Sequence, residues 1–285
     1  TNQRVSYADL LEGKNLQLSI PDDTTTKQAA DFVYMGKDAT RTDALARVTG
    51  QAKYSHDIVV DGMLHGKILR PPSYGARPQQ IDTSGTERIP GFVMVVQEGD
   101  LVGVVCERED AAEQAVDAIR VRWQEVQELP SDSDFPGLLK EKAKEMIVLR
   151  ESGSPADGFA QADHVLGGNY FVPHVANAPM ETSAAVATWD GGNLIVWSGD
   201  RSPFGVRDEL ASSLNMSQDN IRVIAPEVGG SFGTKGTVEV AHEAAVLAKA
   251  AGRPVRVVHS RAEEFMWGTV RQAAFYEIRS GFNND

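Results

Sequence analysis

The sequence holds a single cysteine, Cys106, among 285 residues. An internal disulfide and a cysteine-built metal site are therefore excluded. Positive charge is also short: 28 Lys and Arg stand against 40 Asp and Glu, a formal net charge of −12. A surface of that sign repels phosphate backbones and argues against a nucleic-acid partner. No apolar run approaches the ~20 residues that span a bilayer as a helix, so no membrane span is expected. The six histidines, His56, His65, His164, His174, His242 and His259, show neither HExxH nor HxH spacing. A metal held by paired side chains is not expected either. No GxSxG elbow occurs, which removes support for a serine hydrolase of that type. The first residue is Thr1 rather than methionine, and no leader is legible. What remains is ordinary globular composition, 41% hydrophobic and 24% charged. The length suits about two average domains.

Residues 1–43 are mostly polar, with one short apolar patch at 16–20, and read as an arm or linker. From 44 to 126 the pattern tightens. Strands are expected at 63–69, stopped by Pro71-Pro72, and at 92–96, 101–106 and 120–123. Residues 110–119 place Ala111, Ala112, Ala115, Val116 and Ile119 on one helical stripe. Strands with one covering helix make a small α+β unit. Residues 127–162 are charged and proline-bearing, with a short helix at 140–144, and read as a connector.

A second unit occupies 163–285. Strands are expected at 193–198, 221–225 and 254–259, alternating with helices. The first helix starts at Ser202-Pro203, with Ser202 as N-cap. The second covers 238–251 and closes at Gly252, and a third opens with a capping box between Ser260 and Glu263. That alternation predicts parallel βαβ pairing. A last strand at 275–280 runs into a turn at 281–285, and a return strand is expected beyond it. On this pattern the chain stops inside a domain.

The most unusual local feature is Gly229-Gly230-Ser231-Phe232-Gly233-Thr234-Lys235, between a strand and a helix. Glycines there let the backbone turn with positive φ and aim N–H groups at anionic oxygens. Its spacing fits neither the dinucleotide fingerprint nor the phosphate loop, and taken alone it reads first as a ligand-free turn. Glu181 lies in a segment otherwise free of charge, so it must pair or shift its pKa. Acceptor of backbone N–H groups and catalytic group both remain open for it. Arg201 follows the strand 193–198, at a strand end where open α/β sheets collect ligands, and is a candidate anion contact. Cys106 ends an apolar run and reads as a buried small residue.

Taken in order, the segments resemble a known family. Arg47 to Asp57 (RVTGQAKYSHD), then Met63 to Pro72 (MLHGKILRPP) and Ile89 to Val93 (IPGFV), are similar to the opening of the α/β hammerhead domain of molybdenum hydroxylases. Pro179-Met180-Glu181, Ser202 to Arg207 (SPFGVR) and Val228 to Lys235 look like signature stretches of that family's first molybdopterin-binding domain. Gly252 to Arg256 and Ser260 to Glu264 complete the series, which covers about residues 40 to 285. Among subfamilies the chain is most similar to the large (beta) subunits of isoquinoline 1-oxidoreductases and related bacterial aldehyde dehydrogenases.

The resemblance implies an α+β chain: an α/β hammerhead domain, then an incomplete α/β molybdopterin-binding domain. It implies hydroxylation of an aldehyde or an N-heterocycle with oxygen from water. The metal belongs to a pterin cofactor, with the cytosine dinucleotide form as one option. Gly229, Gly230, Ser231, Phe232 and Gly233 would bind that cofactor, and Arg201 and Glu181 would lie near substrate or cofactor. Implied partners are the remainder of the large subunit, a small iron–sulfur subunit and a cytochrome c acceptor, in the periplasm or cytoplasm of a bacterium. No residue here matches the family's general-base glutamate, so no catalytic residue is assigned and the isolated chain is expected to be inactive. Ser231 stands where the family usually has a third glycine, Arg201 where a glutamine is common, Asn177 where a histidine is common, and Thr182 in place of proline. The alternative is a non-catalytic scaffold or assembly relative of the same family.

Overall fold

The polar start of the chain and the rest separate into two units, residues 1–51 and 52–285. The computed structural model describes residues 4–14, 18–19, 21–124 and 135–284. The apolar patch at 16–20 falls partly, and the connector's opening at 127–134 wholly, outside the described residues. In the first unit, α1 (Tyr7–Leu11) is held by a reciprocal capping box between Ser6 and Asp9, and α2 (Ala44–Val48) closes the unit. No described residue of this unit is buried. Its large apolar side chains, among them Leu10, Val33, Met35 and Leu45, are exposed.

The second unit begins with β1 (Leu64–Ile68), β2 (Pro78–Asp82), β3 (Phe92–Glu98), β4 (Leu101–Cys106), α3 (Glu109–Asp117) and β5 (Arg120–Trp123). After the connector come α4 (Phe135–Lys142), α5 (Pro155–Gln161), β6 (His164–Val172), β7 (Val175–Ala176), β8 (Ala184–Asp190) and β9 (Asn193–Ser198). The chain continues through α6 (Pro203–Ser213), β10 (Ile221–Ile224), α7 (Glu239–Ala251), β11 (Val255–Val258), α8 (Arg261–Trp267), β12 (Val270–Arg271) and β13 (Ala274–Phe282). The class is α+β with a mixed sheet.

One sheet of seven strands, in the order β10-β9-β8-β11-β1-β4-β3, joins strands from both sides of the connector. β1 pairs parallel with β11, Leu64 opposite Val255. The pairings make β1, β3, β9, β10 and β11 run one way and β4 and β8 the other. Side chains alternate across β4: Val102, Val104 and Cys106 pack under the alanines of α3, while Val105 joins the larger core beneath α7. Helix α7 sits close because Ala241, Ala244, Ala245 and Ala248 are its contact residues. Gly66 completes the fit, since a Cβ there would stand 2.4 Å from Leu247 Cδ1. Gly252 then ends α7 in the left-handed conformation (φ 61°), as the sequence predicts.

Several expectations are corrected. The run β9-α6-β10 gives the parallel pair, Ile221 opposite Leu194, but β11 does not continue it. A tight hairpin through Gly191 and Gly192, both at positive φ (53° and 93°), brings β8 onto the other edge of β9. β11 therefore docks beyond β8, antiparallel to it. Ser202 holds the N-cap position of α6, but its hydroxyl caps nothing; Asp200 Oδ1 instead accepts from the Ser202 N–H at 2.8 Å. The connector helix runs over Phe135–Lys142 rather than 140–144, with Pro136 in its first turn, where proline is tolerated. The last strand, β13, already has a partner within the chain, pairing antiparallel with β6 along Ala274–Phe282.

Candidate functional site

The shared direction of β9, β10, β11 and β1 brings their carboxyl ends to one edge of the sheet, where open α/β sheets gather ligands. Three connections meet there: residues 177–183 before β8, residues 199–202 between β9 and α6, and residues 225–238 between β10 and α7.

Glu181 joins them. Its Oε1 accepts from the Ser55 N–H at 3.1 Å, and its Oε2 accepts from the Gly229 N–H at 2.8 Å and from Lys235 Nζ at 2.5 Å. The two side chains are 10% and 4% exposed. The sequence left this carboxylate two ways to live in apolar surroundings; it pairs, and it also accepts main-chain N–H groups. Both ends of the glycine loop, Gly229 and Lys235, are thereby fastened to one group. A Cβ at Gly229 would lie 2.5 Å from Glu181 Cβ, so glycine is required for the approach.

Between those ends the backbone takes left-handed angles at Gly230 (φ 97°), Phe232 (φ 52°) and Gly233 (φ 110°). Phe232 is 77% exposed, an aromatic side chain on backbone that costs about 1–3 kcal/mol to hold. Ser231 fixes the turn: its Oγ accepts from the Gly233 N–H at 3.3 Å and the Lys235 N–H at 3.2 Å, and its carbonyl from the Thr234 N–H at 3.0 Å. Asn177 Nδ2 donates to Thr234 Oγ1 at 2.8 Å and to the Thr269 carbonyl at 3.0 Å. Thr269 Oγ1 in turn donates toward the Gly233 carbonyl at 3.2 Å. The N–H groups of Gly229 and Gly233 are thus engaged inside the protein. Those of Gly230, Ser231 and Phe232 find no acceptor among the described residues. Ser231 is nevertheless buried.

Beneath the loop, Ser198, Asp200, Thr234, Lys235, Glu239 and His259 line a cavity of about 20 Å³, room for about one water molecule. Burial raises the carboxyls of Asp200 and Glu239 above their usual range. A ligand of cofactor size does not fit that space; the loop's outer side, carrying Phe232, is the open one.

Arg201 is exposed, at the start of the turn into α6. Its Nη2 lies 3.7 Å from the point a Gly236 Cβ would occupy, and the Gly233 carbonyl lies 3.9 Å from the same point. Arg201 therefore lies beside Gly236, just past the loop's end at Lys235. Sequence reasoning missed a second set of charges at this edge, because it joins β1, α7, β11 and α8. Arg70 makes a paired contact with the Glu243 carboxylate and donates to Glu263 Oε1 at 3.0 Å, while Lys67 Nζ reaches Glu263 Oε2 at 3.1 Å. His259 Nε2 lies 3.1 Å from Glu243 Oε2. Burial pushes the Glu243 carboxyl up, but the His259 and Arg70 contacts outweigh it and hold it below the usual range. Among the described residues, no group of three or more His, Cys, Asp or Glu is placed to hold a metal ion. Cys106 is a free, buried thiol in the core.

A family model described as a molybdopterin cofactor-binding domain matches residues 139–285. The chain is similar to a nicotinate dehydrogenase subunit of Pseudomonas putida, 33% identical over 99% of this chain and 24% of the relative. It is also similar to the beta subunit of isoquinoline 1-oxidoreductase from Brevundimonas diminuta, 28% identical over 87% of this chain and 33% of the relative. The solved quinoline 2-oxidoreductase from Pseudomonas putida 86 superposes with a TM-score of 0.72 at 26% identity, over 87% of this chain and 37% of that one. The chain spans between 24% and 37% of the length of these relatives.

Proposed function

The chain belongs to the molybdopterin cofactor-binding family of the molybdenum hydroxylases, and from that premise we propose that it is part of an oxidoreductase that hydroxylates an N-heterocycle or an aldehyde. When bound, the pterin-held molybdenum supplies the centre at which oxygen from water is inserted and two electrons are taken up. Everything else assigned to this chain is positioning. Glu181 and Lys235 clamp the two ends of the loop; Asn177, Thr269 and Ser231 fix its second half. At the tip, Gly230-Ser231-Phe232, three N–H groups have no acceptor among the described residues, and Phe232 carries an exposed aromatic face.

Those donors are the single observation that carries the reading. A loop in which every other amide is bonded and three in a row are not is shaped for acceptor oxygens from outside the chain. Donors fixed in place stabilise developing negative charge without reorganising. In this reading residues 44–126 are the hammerhead domain, 127–162 the connector and 163–285 the opening part of the cofactor-binding domain. The loop's outer side is open, so the remainder of the large subunit supplies the opposing wall. Iron–sulfur clusters need several cysteines, and with Cys106 alone and buried the residues of this chain hold none, so in this reading electrons leave through protein outside it, a small iron–sulfur subunit. The non-catalytic alternative loses two of its supports, since Ser231 and Asn177 both bond the loop into shape.

Metal analysis tests the proposal. The chain co-produced with the rest of its large subunit and the small subunit is expected to carry molybdenum and to oxidise heterocycles or aldehydes; the chain alone is expected to carry none. Stoichiometric molybdenum with turnover in the isolated chain, or an assembled enzyme without molybdenum, would overturn it.

A further inference from the structure

The polar side chains around the small cavity beneath the loop are unevenly provided for. Lys235 spends its charge on Glu181, His259 turns Nε2 toward Glu243 and Arg70, and Thr234 bonds Asn177 and the Thr269 carbonyl. Ser198 is different: it is 3% exposed, yet its hydroxyl has no hydrogen-bond partner among the described residues. It shares one face of β9 with Leu194 and Val196, the face that packs beneath α7, so the strand's alternation directs that hydroxyl into the cavity. The Thr237 hydroxyl, on the opposite wall, also lacks a partner among the described residues. Asp200 is 5% exposed and accepts from the Ser202 N–H, but it forms no ion pair there, and neither does Glu239 in the first turn of α7. The carboxylates of Glu181, Glu243 and Glu263, by contrast, each face a lysine or an arginine.

We infer that this cavity binds one monovalent alkali-metal cation, held by oxygens of Ser198, Asp200, Thr237 and Glu239, which ties the carboxyl end of β9 to the first turn of α7. The space, about 20 Å³, takes one water molecule and therefore an ion of similar size. Its unengaged groups are oxygens, the donors that hard cations prefer. Charge decides against an anion: two carboxylates face the space, and the amino end of α7 offsets only about half a charge. Arg201, next to Asp200 in the chain, is exposed and screened by solvent. Size decides against a divalent ion. Mg²⁺ keeps several of its waters and Ca²⁺ takes about six to eight oxygens, and the cavity has no room for either shell. A lone water would leave the buried Asp200 carboxylate without a compensating charge, which a cation supplies. Residues 199–202 and 236–239 flank the glycine loop in space, so the bound ion holds together the two connections that carry it. The site stands apart from the molybdenum reading, since none of its groups is assigned to the cofactor.

The test uses the assembled enzyme. Crystals grown with rubidium or thallium(I), which stand in for potassium and scatter anomalously, are expected to show an anomalous peak between Asp200 and Glu239. Amide exchange gives the solution readout. Replacing choline chloride with potassium or sodium chloride at fixed ionic strength should slow exchange along 199–201 and 236–241 in a saturable way, by about tenfold at ten times the dissociation constant. Asp200→Asn removes a full charge and should raise that dissociation constant about tenfold or more, and Ser198→Ala should raise it by less. The response to salt, not absolute stability, is compared, so a variant that is merely softer or stiffer does not imitate loss of the site. Should either variant fail to assemble, the anomalous map and the salt response of the wild type decide alone. Density for one water without an anomalous signal overturns the inference. So does exchange that is equal in choline and alkali chlorides, or a response undiminished in Asp200→Asn. Failure of the functional reading shows separately, as an assembled enzyme without molybdenum, and changes none of these readouts.

Discussion

Lys235 Nζ stands 2.5 Å from Glu181 Oε2, and the pair lies almost out of solvent. The same carboxylate holds the Gly229 N–H, so one ion pair closes both ends of the loop. A buried charge is stable only with its partner in place, which makes the pair a fastening rather than a reserve of stability.

Removing one partner should therefore cost more than removing both. Lys235→Met is expected to destabilise the chain by about 3–5 kcal/mol, because Glu181 is left charged and buried. Adding Glu181→Gln to it should recover a large part of that loss. Urea unfolding midpoints for the wild type, the single and the double variant decide the matter. A single variant as stable as the wild type would mean that the pair does not clamp the loop.

The approach of Gly229 to Glu181 gives a steric prediction. Gly229→Ala puts a Cβ 2.5 Å from Glu181 Cβ, against an atom too near the backbone to swing away. The expected cost is about 1–3 kcal/mol, with faster amide exchange along 229–235. Gly137→Ala serves as the control: it lies in α4 with nothing within 4 Å of its Cβ position. There the exchange to alanine should be neutral or stabilising by up to about 1 kcal/mol. Equal effects of the two substitutions in thermal melts would contradict the packing described.

Acid stability should depend on Glu263. Burial raises its carboxyl, but the Ser260 N–H, Lys67, Arg70 and His259 overcome that and hold its pKa at about 2, against the usual 4.5. A folded-state pKa below the unfolded one means that the folded form binds fewer protons, so this contribution is complete above pH 4.5 and disappears as pH falls toward 2. Its size is at most about 3 kcal/mol. Glu263→Gln retains an acceptor for the capping box, and its stability deficit should be full at pH 6 and shrink steadily below pH 4.5. A deficit independent of pH would refute the charge argument.

Much of the fold was legible where turns bound the apolar runs sharply. Strands β4, β5 and β9 fall at the residues the sequence predicts, and α8 carries the expected Ser260–Glu263 box. Strand β8 was not legible, because Ala184 to Ala187 are buried without alternation and small residues carry little strand signal. Neither was the sheet order: β1 meets β11 across about 190 residues, and nothing local encodes such a pairing. At the site, the glycine loop, Glu181 and Arg201 all stood out, but Lys235 as the partner of Glu181 did not, since the pair is separated by 54 positions. Ser231 and Asn177 read as departures from a pattern; only their hydrogen bonds show that they shape the loop.

Ser231 provides the last prediction. Its hydroxyl accepts from two amides, Gly233 and Lys235, and its own N–H and those of Gly230 and Phe232 have no acceptor among the described residues. Ser231→Ala removes the acceptor and leaves two N–H groups at the buried end of the turn unsatisfied, at a cost of about 1–3 kcal/mol. Amide hydrogen exchange separates this effect from general softening. In the wild type, Gly233 and Lys235 should exchange slowly and Gly230 and Phe232 fast. In Ser231→Ala the first two should accelerate toward the rate of the second two, while the amide of Gly229, held by Glu181, keeps its protection. Should Gly233 and Lys235 already exchange as fast as Phe232 in the wild type, the hydroxyl does not organise the loop, and the donors at its tip are not held ready for a ligand.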